Sequence, residues 1–284
     1  MIELLDPRVD FVFKRIFGSE RNKDVLLAFL NSTFLEAGEP PLSEILLVNT
    51  FTDKDSPADK QSILDIKAQT SEGKLINIEM QLFNPYNMEK RTLFYWSEMY
   101  YHQINKGDNY NLLKKCVTIN IVNYSCLPHD RYHSVFHLRE DHTFIPLIDD
   151  IEVHVMELPK LQEHAVPVEG GLVNWLLFLK GVDKSSWEAL KVNEPMLKKA
   201  MDTLEFLSQD EATWLAYQAR MKALRDEVSR TEGAREEGLV KGRAEGVTQG
   251  KTETAANLLA MGIDIQTISK ATGLTEAEIR ALRS

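Results

Sequence analysis

Asp65, Glu79 and Gln81 are placed so that two alternating segments would carry them onto one surface. In residues 63–69, Leu64, Ile66 and Ala68 point one way, and Asp65 and Lys67 the other. In residues 75–82, Ile76, Ile78, Met80 and Leu82 form one face, and Asn77, Glu79 and Gln81 the opposite one. Ser71-Glu72-Gly73 suits a three-residue hairpin loop with glycine in the left-handed position. That register pairs Thr70 with Lys74 and sets Asp65 opposite Glu79, with Cβ atoms about 5 Å apart. Two carboxylates at that separation repel unless positive charge lies between them, and an oxygen-preferring divalent cation is the natural occupant. Gln81, two residues on, shares the face beside it. Polar residues on a hairpin face are often simply solvated. Direct pairing of like charges is unfavourable in a plain sheet, which weighs against that reading here.

These two strands need a frame. Residues 10–34 read as two short helices, with Phe11, Phe13, Ile16 and Phe17, then Val25, Leu26, Phe29 and Leu30, at helical spacing and Gly18-Ser19 between. Residues 45–51 are a strand candidate, followed by the polar loop 51–60. Asn84-Pro85 ends the hairpin, and residues 88–104 form an aromatic-rich helix. Residues 116–123 read as a buried strand, and 135–138 and 151–158 as further strands. From 172 to about 230 the pattern is helical, with a break near Pro195. Gly233, Gly238, Gly242, Gly246 and Gly250 then recur at spacings of five, four, four and four. Such a repeat is either a small-residue helix face open to close helix packing or a weak, flexible linker, since each glycine costs about 1 kcal/mol in a helix. The last 30 residues read as short helices stopped by Gly262 and Gly273, with Thr275 and Glu278 forming a capping box. This unit resembles a helix-turn-helix, serving either DNA reading or packing and dimerisation.

With 43% hydrophobic and 27% charged residues, the chain is an ordinary globular protein able to bury a core without staples. Neither a signal peptide nor an 18-residue apolar run is present, and Cys116 and Cys126 have no metal or redox spacing. A cytoplasmic protein with no membrane partner is expected. A net charge of −10 excludes nucleic-acid binding by bulk charge. Contact with DNA would fall to local cations such as Lys14, Arg15, Arg21, Lys23, Lys90 and Arg91, which read equally well as solvated surface. His129, His133 and His137 would suit zinc on a helix, but their segment alternates like a strand. No Walker loop or dinucleotide glycine pattern occurs.

Several segments together resemble one family. Residues 10–18 (DFVFKRIFG), Ile63-Leu64-Asp65-Ile66-Lys67-Ala68, Ile76-Asn77-Ile78-Glu79-Met80-Gln81, residues 91–101, Glu157-Leu158-Pro159-Lys160, the glycine-periodic tail and Ala271-Thr272-Gly273-Leu274-Thr275 carry the likeness. They resemble the Rpn-like recombination-promoting nucleases and putative transposases of the PD-(D/E)xK superfamily. The resemblance implies an α/β fold: a restriction-endonuclease-like core, a mixed sheet flanked by helices, followed by an all-helical C-terminal region. It divides the chain into a nuclease-like core (1–170), a helical extension (171–230), a glycine-periodic helix or linker (231–254) and a small helical unit (255–284). It implies hydrolysis of DNA phosphodiesters with Mg2+ or Mn2+, tied to recombination or mobile elements.

Carried over by position, Asp65, Glu79 and the Met80 carbonyl would hold the metal, with Gln81 where the wider superfamily has lysine. Glutamine can only hydrogen-bond, so a cation is missing there. Lys67 would either replace it or make a salt bridge. Asp10 would join the metal pocket or cap its helix. Lys14, Arg15, Lys67, Arg91 and Tyr95 are the candidate DNA contacts, and a homodimer through the C-terminal helices is the expected assembly. The rival expectation is a catalytically weak DNA-binding or oligomerising protein on a nuclease-like scaffold.

Overall fold

The computed structural model describes residues 3–48, 65–83, 87–161, 171–181 and 184–282. The expected polar loop 51–60, Ile63, Leu64, Asn84-Pro85 and the side chain of Asp65 lie outside the described residues.

Among the described residues the sheet has six strands: β1 (Ile45–Leu47), β2 (Asp65–Thr70), β3 (Leu75–Gln81), β4 (Cys116–Val122), β5 (His133–His137) and β6 (Ile151–Glu157). Their spatial order is β1-β2-β3-β4-β6-β5. The hairpin β2–β3 is antiparallel, β3–β4 and β4–β6 are parallel, and β5 returns antiparallel to β6. Every residue of β4 is buried, as expected for a central strand covered on both faces.

Helices α1 (Asp10–Phe17), α2 (Lys23–Glu36) and α4 (Leu172–Lys180) cover the face carrying Ile66, Ile76, Ile78 and Met80. Phe13, Phe17, Phe29 and Trp175 pack there in tilted and edge-on pairs with ring centroids 4.7–5.9 Å apart. Helices α5 (Lys184–Asn193) and α6 (Pro195–Gln209) complete this layer, and Leu197, Met201 and Leu204 join the same core. Proline opens α6 where its missing N–H costs nothing. Helix α3 (Met88–Tyr101) lies on the polar face: its Thr92 hydroxyl donates to Asn120 at 3.0 Å, and the Trp96 indole to the Cys116 carbonyl at 2.9 Å.

By internal contacts the chain forms two compact units, Met1–Met221 and Lys222–Ser284. Helix α7 (Glu211–Ala260) begins in the first and continues in the second. The five periodic glycines are helical, and a Cβ added at any of them meets open space within this chain. The second unit closes with α8 (Ile265–Thr272) and α9 (Glu276–Ala281) around Ala255, Ile268 and Ile279. Asp264 caps α8, and Thr275 with Glu278 forms the capping box of α9.

Away from the hairpin, a buried polar chain ties β5, β6, β4 and α2 together. His133 Nε2 meets His154 Nδ1 at 2.9 Å, and His154 Nε2 meets Glu152 at 2.5 Å. Lys115 pairs with Glu152 at 2.5 Å and Glu39 at 2.9 Å. Burial pushes His133 down to about 4 from its ordinary 6.5, and the charges of His154 and Arg131 act in the same direction. The unfolded chain therefore takes up this proton near pH 6.5 and the folded chain only near pH 4. Stability is expected to fall as pH is lowered through that window, by on the order of 3 kcal/mol. His133→Leu should flatten the decline of melting temperature between pH 6.5 and 4, whatever it does at neutral pH. An unchanged slope would assign the decline elsewhere.

Candidate active site

The hairpin has the register that its alternation and loop length require. Thr70 N–H bonds the Lys74 carbonyl at 3.0 Å, and Gly73 sits at φ +90°, where a side chain would be strained. Asp65 lies across from Glu79 and Lys67 across from Asn77. On the neighbouring strand Thr118 pairs with Asn77 and Asn120 with Glu79, so the polar surface continues onto β4. Met80 faces the apolar core and leaves only its main chain beside Glu79 and Gln81.

Glu79 is buried to 4% exposure, and among the described residues two side chains hold its carboxylate. The Gln81 amide donates to Glu79 Oε2 at 2.9 Å, and the Arg91 guanidinium approaches the same oxygen at 3.7 Å. Tyr124, just past β4, donates its hydroxyl to Gln81 Oε1 at 2.6 Å. Burial raises the Tyr124 phenol well above its ordinary range, keeping the donor proton in place. Gln81 thus accepts from Tyr124 and donates to Glu79. A lysine at this position has no acceptor and could not receive the Tyr124 hydroxyl proton. The sequence contained one hint of Tyr124, an aromatic directly after a buried strand. Nothing in it brought that residue back to β3.

Arg91 lies over the Tyr95 ring at 5.7 Å, so two of the candidate DNA contacts stand together, with Arg91 beside Glu79. Lys67 is half-buried on the hairpin's polar face. Lys14 and Arg15 do not form a basic surface. Lys14 is buried, its stem packed beside Gly18 and Ile66. Arg15 donates to the Thr213 hydroxyl at 3.1 Å and so ties α1 to α7.

Asp10 is the first residue of α1. The N-cap position belongs to Val9, which makes no side-chain cap bond, and Asp10 serves the first turn from inside it. Its Oδ1 accepts the Phe11 amide at 2.7 Å, and its Oδ2 is held by Arg220. Asp10 belongs to the same end of the sheet as Gln81. Arg8, two residues earlier, donates to Asn123 at 2.9 Å, and the Asn123 amide bonds the Gln81 carbonyl at 2.9 Å. Arg8, Asn120, Tyr124 and Arg220 are absent from the sequence-derived set.

The donors around Glu79 suit a hard divalent cation. They are oxygens: the Glu79 carboxylate and the main-chain carbonyl between Glu79 and Gln81, with the backbone of Asp65 in register across from Glu79. Two residues along the same face, the buried Asn77 Oδ1 has no hydrogen-bond partner among the described residues. Elsewhere, His137, Asp149 and Glu152 bring ligand atoms within 4.8 Å of one another. Lys115 already supplies the positive charge there, 2.5 Å from Glu152 and 3.0 Å from Asp149. A cavity of about 480 Å3, lined by Lys67, Gln69, Gly73, His102, Gln103 and Lys114, lies toward the turn of the hairpin and is separate from the carboxylate pair.

A mixed sheet whose central hairpin sets Asp65 opposite Glu79, with flanking helices on both faces, is a restriction-endonuclease-like core. Residues 7–234 match the model of the PD-(D/E)XK nuclease family transposase, and residues 249–284 that of the Rpn/YhgA-like nuclease family, C-terminal HTH domain. The chain belongs to this Rpn-like branch of the PD-(D/E)XK nucleases. No curated protein and no solved structure is a match to it.

Proposed function

We propose that this chain is a divalent-metal-dependent DNA endonuclease, and that Asp65, Glu79 and the Met80 carbonyl hold Mg2+ or Mn2+. The observation carrying this reading is the register of Asp65 against Glu79 on a buried polar strand. Bound there, the metal would polarise a phosphoryl oxygen and lower the pKa of the attacking water. The chain's own residues prepare the site. Gln81, fixed by Tyr124, holds Glu79 in one orientation. Arg91, set against Tyr95, offers a guanidinium whose fork matches phosphate oxygens. The helix-turn-helix unit would dock DNA, and a homodimer through the C-terminal helices would present two sites to a duplex. A role in recombination or transposition fits that arrangement. The cellular place we propose is the cytoplasm; among the described residues no helix is long and apolar enough to cross a membrane.

The rival reading, a weak or inactive nuclease scaffold that binds DNA, draws support from Gln81 in the place of lysine. One assay separates the two. Supercoiled plasmid should be nicked in Mg2+ or Mn2+ and left intact in EDTA. Binding without nicking in either metal would favour the scaffold.

A further inference from the structure

Helix α7 brings an arginine to the same end of the sheet as Gln81. Trp214, Tyr217 and Met221 recur at helical spacing along its start and pack against the main core. The Trp214 indole donates to the Ser208 carbonyl at 2.6 Å, and Thr213 receives Arg15. These contacts set the rotation of the helix and turn Arg220 onto α1. There its Nε donates to Asp10 Oδ2 at 2.7 Å, and its Nη2 to the same oxygen. Asp10 is nearly buried, whereas the Arg220 side chain is 25% exposed. Its Nη1 makes no hydrogen bond among the described residues, so the guanidinium keeps donors for a second acceptor.

Phosphodiester hydrolysis builds negative charge on the phosphoryl oxygens, and an ever-charged guanidinium matches them in sign and geometry. The strand position where a lysine would serve carries Gln81, which is engaged by Tyr124 and Glu79. Arg91 approaches the site from the α3 side. Arg220 stands on the α1 side, held by Asp10, two residues along the chain from the Arg8 that reaches Asn123. We propose that Arg220 is a phosphate ligand supplying the cation that Gln81 cannot, and that Asp10 acts as its positioning residue. This rests on the nuclease reading for its catalytic part and on the geometry alone for its phosphate part.

The test uses the full chain and two readouts. In EDTA, the affinity for a short DNA duplex is measured by fluorescence anisotropy across a range of salt. Arg220→Gln should reduce the slope of log affinity against log salt by about one, because one phosphate contact is lost. Arg220→Lys should keep the slope. In Mg2+, Arg220→Gln should lower kcat for plasmid nicking by about a hundredfold, with partial recovery in Arg220→Lys and on adding millimolar guanidinium. Asp10→Asn should lose much of the same activity, and the double variant should be no worse than Arg220→Gln alone.

An unchanged salt slope overturns the proposal. So does nicking by Arg220→Gln at or above the wild-type rate, which would make the ion pair a brake. A lowered melting temperature with slope and kcat both intact reduces the pair to a tie between helices and likewise overturns it. Should the wild type fail to nick while the slope still drops, the nuclease reading fails and the phosphate ligand stands.

Discussion

Glu79→Gln should lower metal-stimulated nicking by roughly a thousandfold, several kcal/mol of transition-state stabilisation, while leaving the fold intact. The substitution keeps the shape of the side chain and an oxygen able to accept from Gln81. It removes one of two acids that the sheet holds directly opposite each other. Metal affinity falls with the lost charge, and the repulsion between like charges across the strands falls with it. The melting temperature without metal should therefore stay level or rise. Added Mg2+ should raise it in the wild type and much less in the variant, because a ligand stabilises only the state that binds it. Wild-type nicking by Glu79→Gln would sink the metal assignment. A collapse of the melting temperature would instead give Glu79 a structural role, through Gln81 and Arg91.

The hairpin was legible in the sequence because everything that defines it is local. A period of two sorts Ile76, Ile78 and Met80 from Asn77, Glu79 and Gln81, and a three-residue loop with Gly73 sets the register. The capping box of α9 was legible for the same reason. Helix α1 was less so. Seven of its eight residues are buried, Asp10 and Lys14 among them, so its charges look like surface in the sequence and lie inside in the fold. The partner of Asp10 is 210 residues away, on a helix whose rotation is set by Trp214, Tyr217 and Met221. No local pattern encodes that pairing. Tyr124 was hidden by topology: it reaches Gln81 only because β4 lies parallel to β3, bringing the end of one strand beside the end of the other. The glycine repeat left helix and linker in balance, and it is helical. Five glycines among 50 residues lower helix propensity without breaking the hydrogen-bond ladder.

Glu157→Ala should cost about 3–5 kcal/mol of stability, because it strands a buried cation and two amides. Glu157 ends β6 and is fully buried. Its Oε1 accepts the amides of Cys126 at 2.6 Å and Leu127 at 3.2 Å, and its Oε2 pairs with Lys160 at 2.6 Å. Lys160 also donates to the Leu127 carbonyl at 2.7 Å. Burial alone would raise the Glu157 carboxyl, but the bonds from Lys160, Cys126 and Leu127 outweigh it and hold the carboxyl below its ordinary value. That contribution is present above the unfolded carboxyl's pKa and is lost as pH falls through the lower folded one. The alanine variant would leave two amides unmet and an ammonium with only a carbonyl partner. Glu157→Leu with Lys160→Met should recover part of the loss, since removing both charges avoids stranding either. The motif that this acid opens, Glu157-Leu158-Pro159-Lys160, is in this fold a buttress for the segment after β4. That segment carries Tyr124, which fixes Gln81 and through it Glu79. Glu157→Ala should thus lose nicking even at temperatures where it stays folded. Tyr124→Phe should lose a comparable share of activity with far less stability. Urea unfolding at pH 7 measures the first effect, and an unfolding free energy for Glu157→Ala within about 1 kcal/mol of wild type would show that the buttress is not needed.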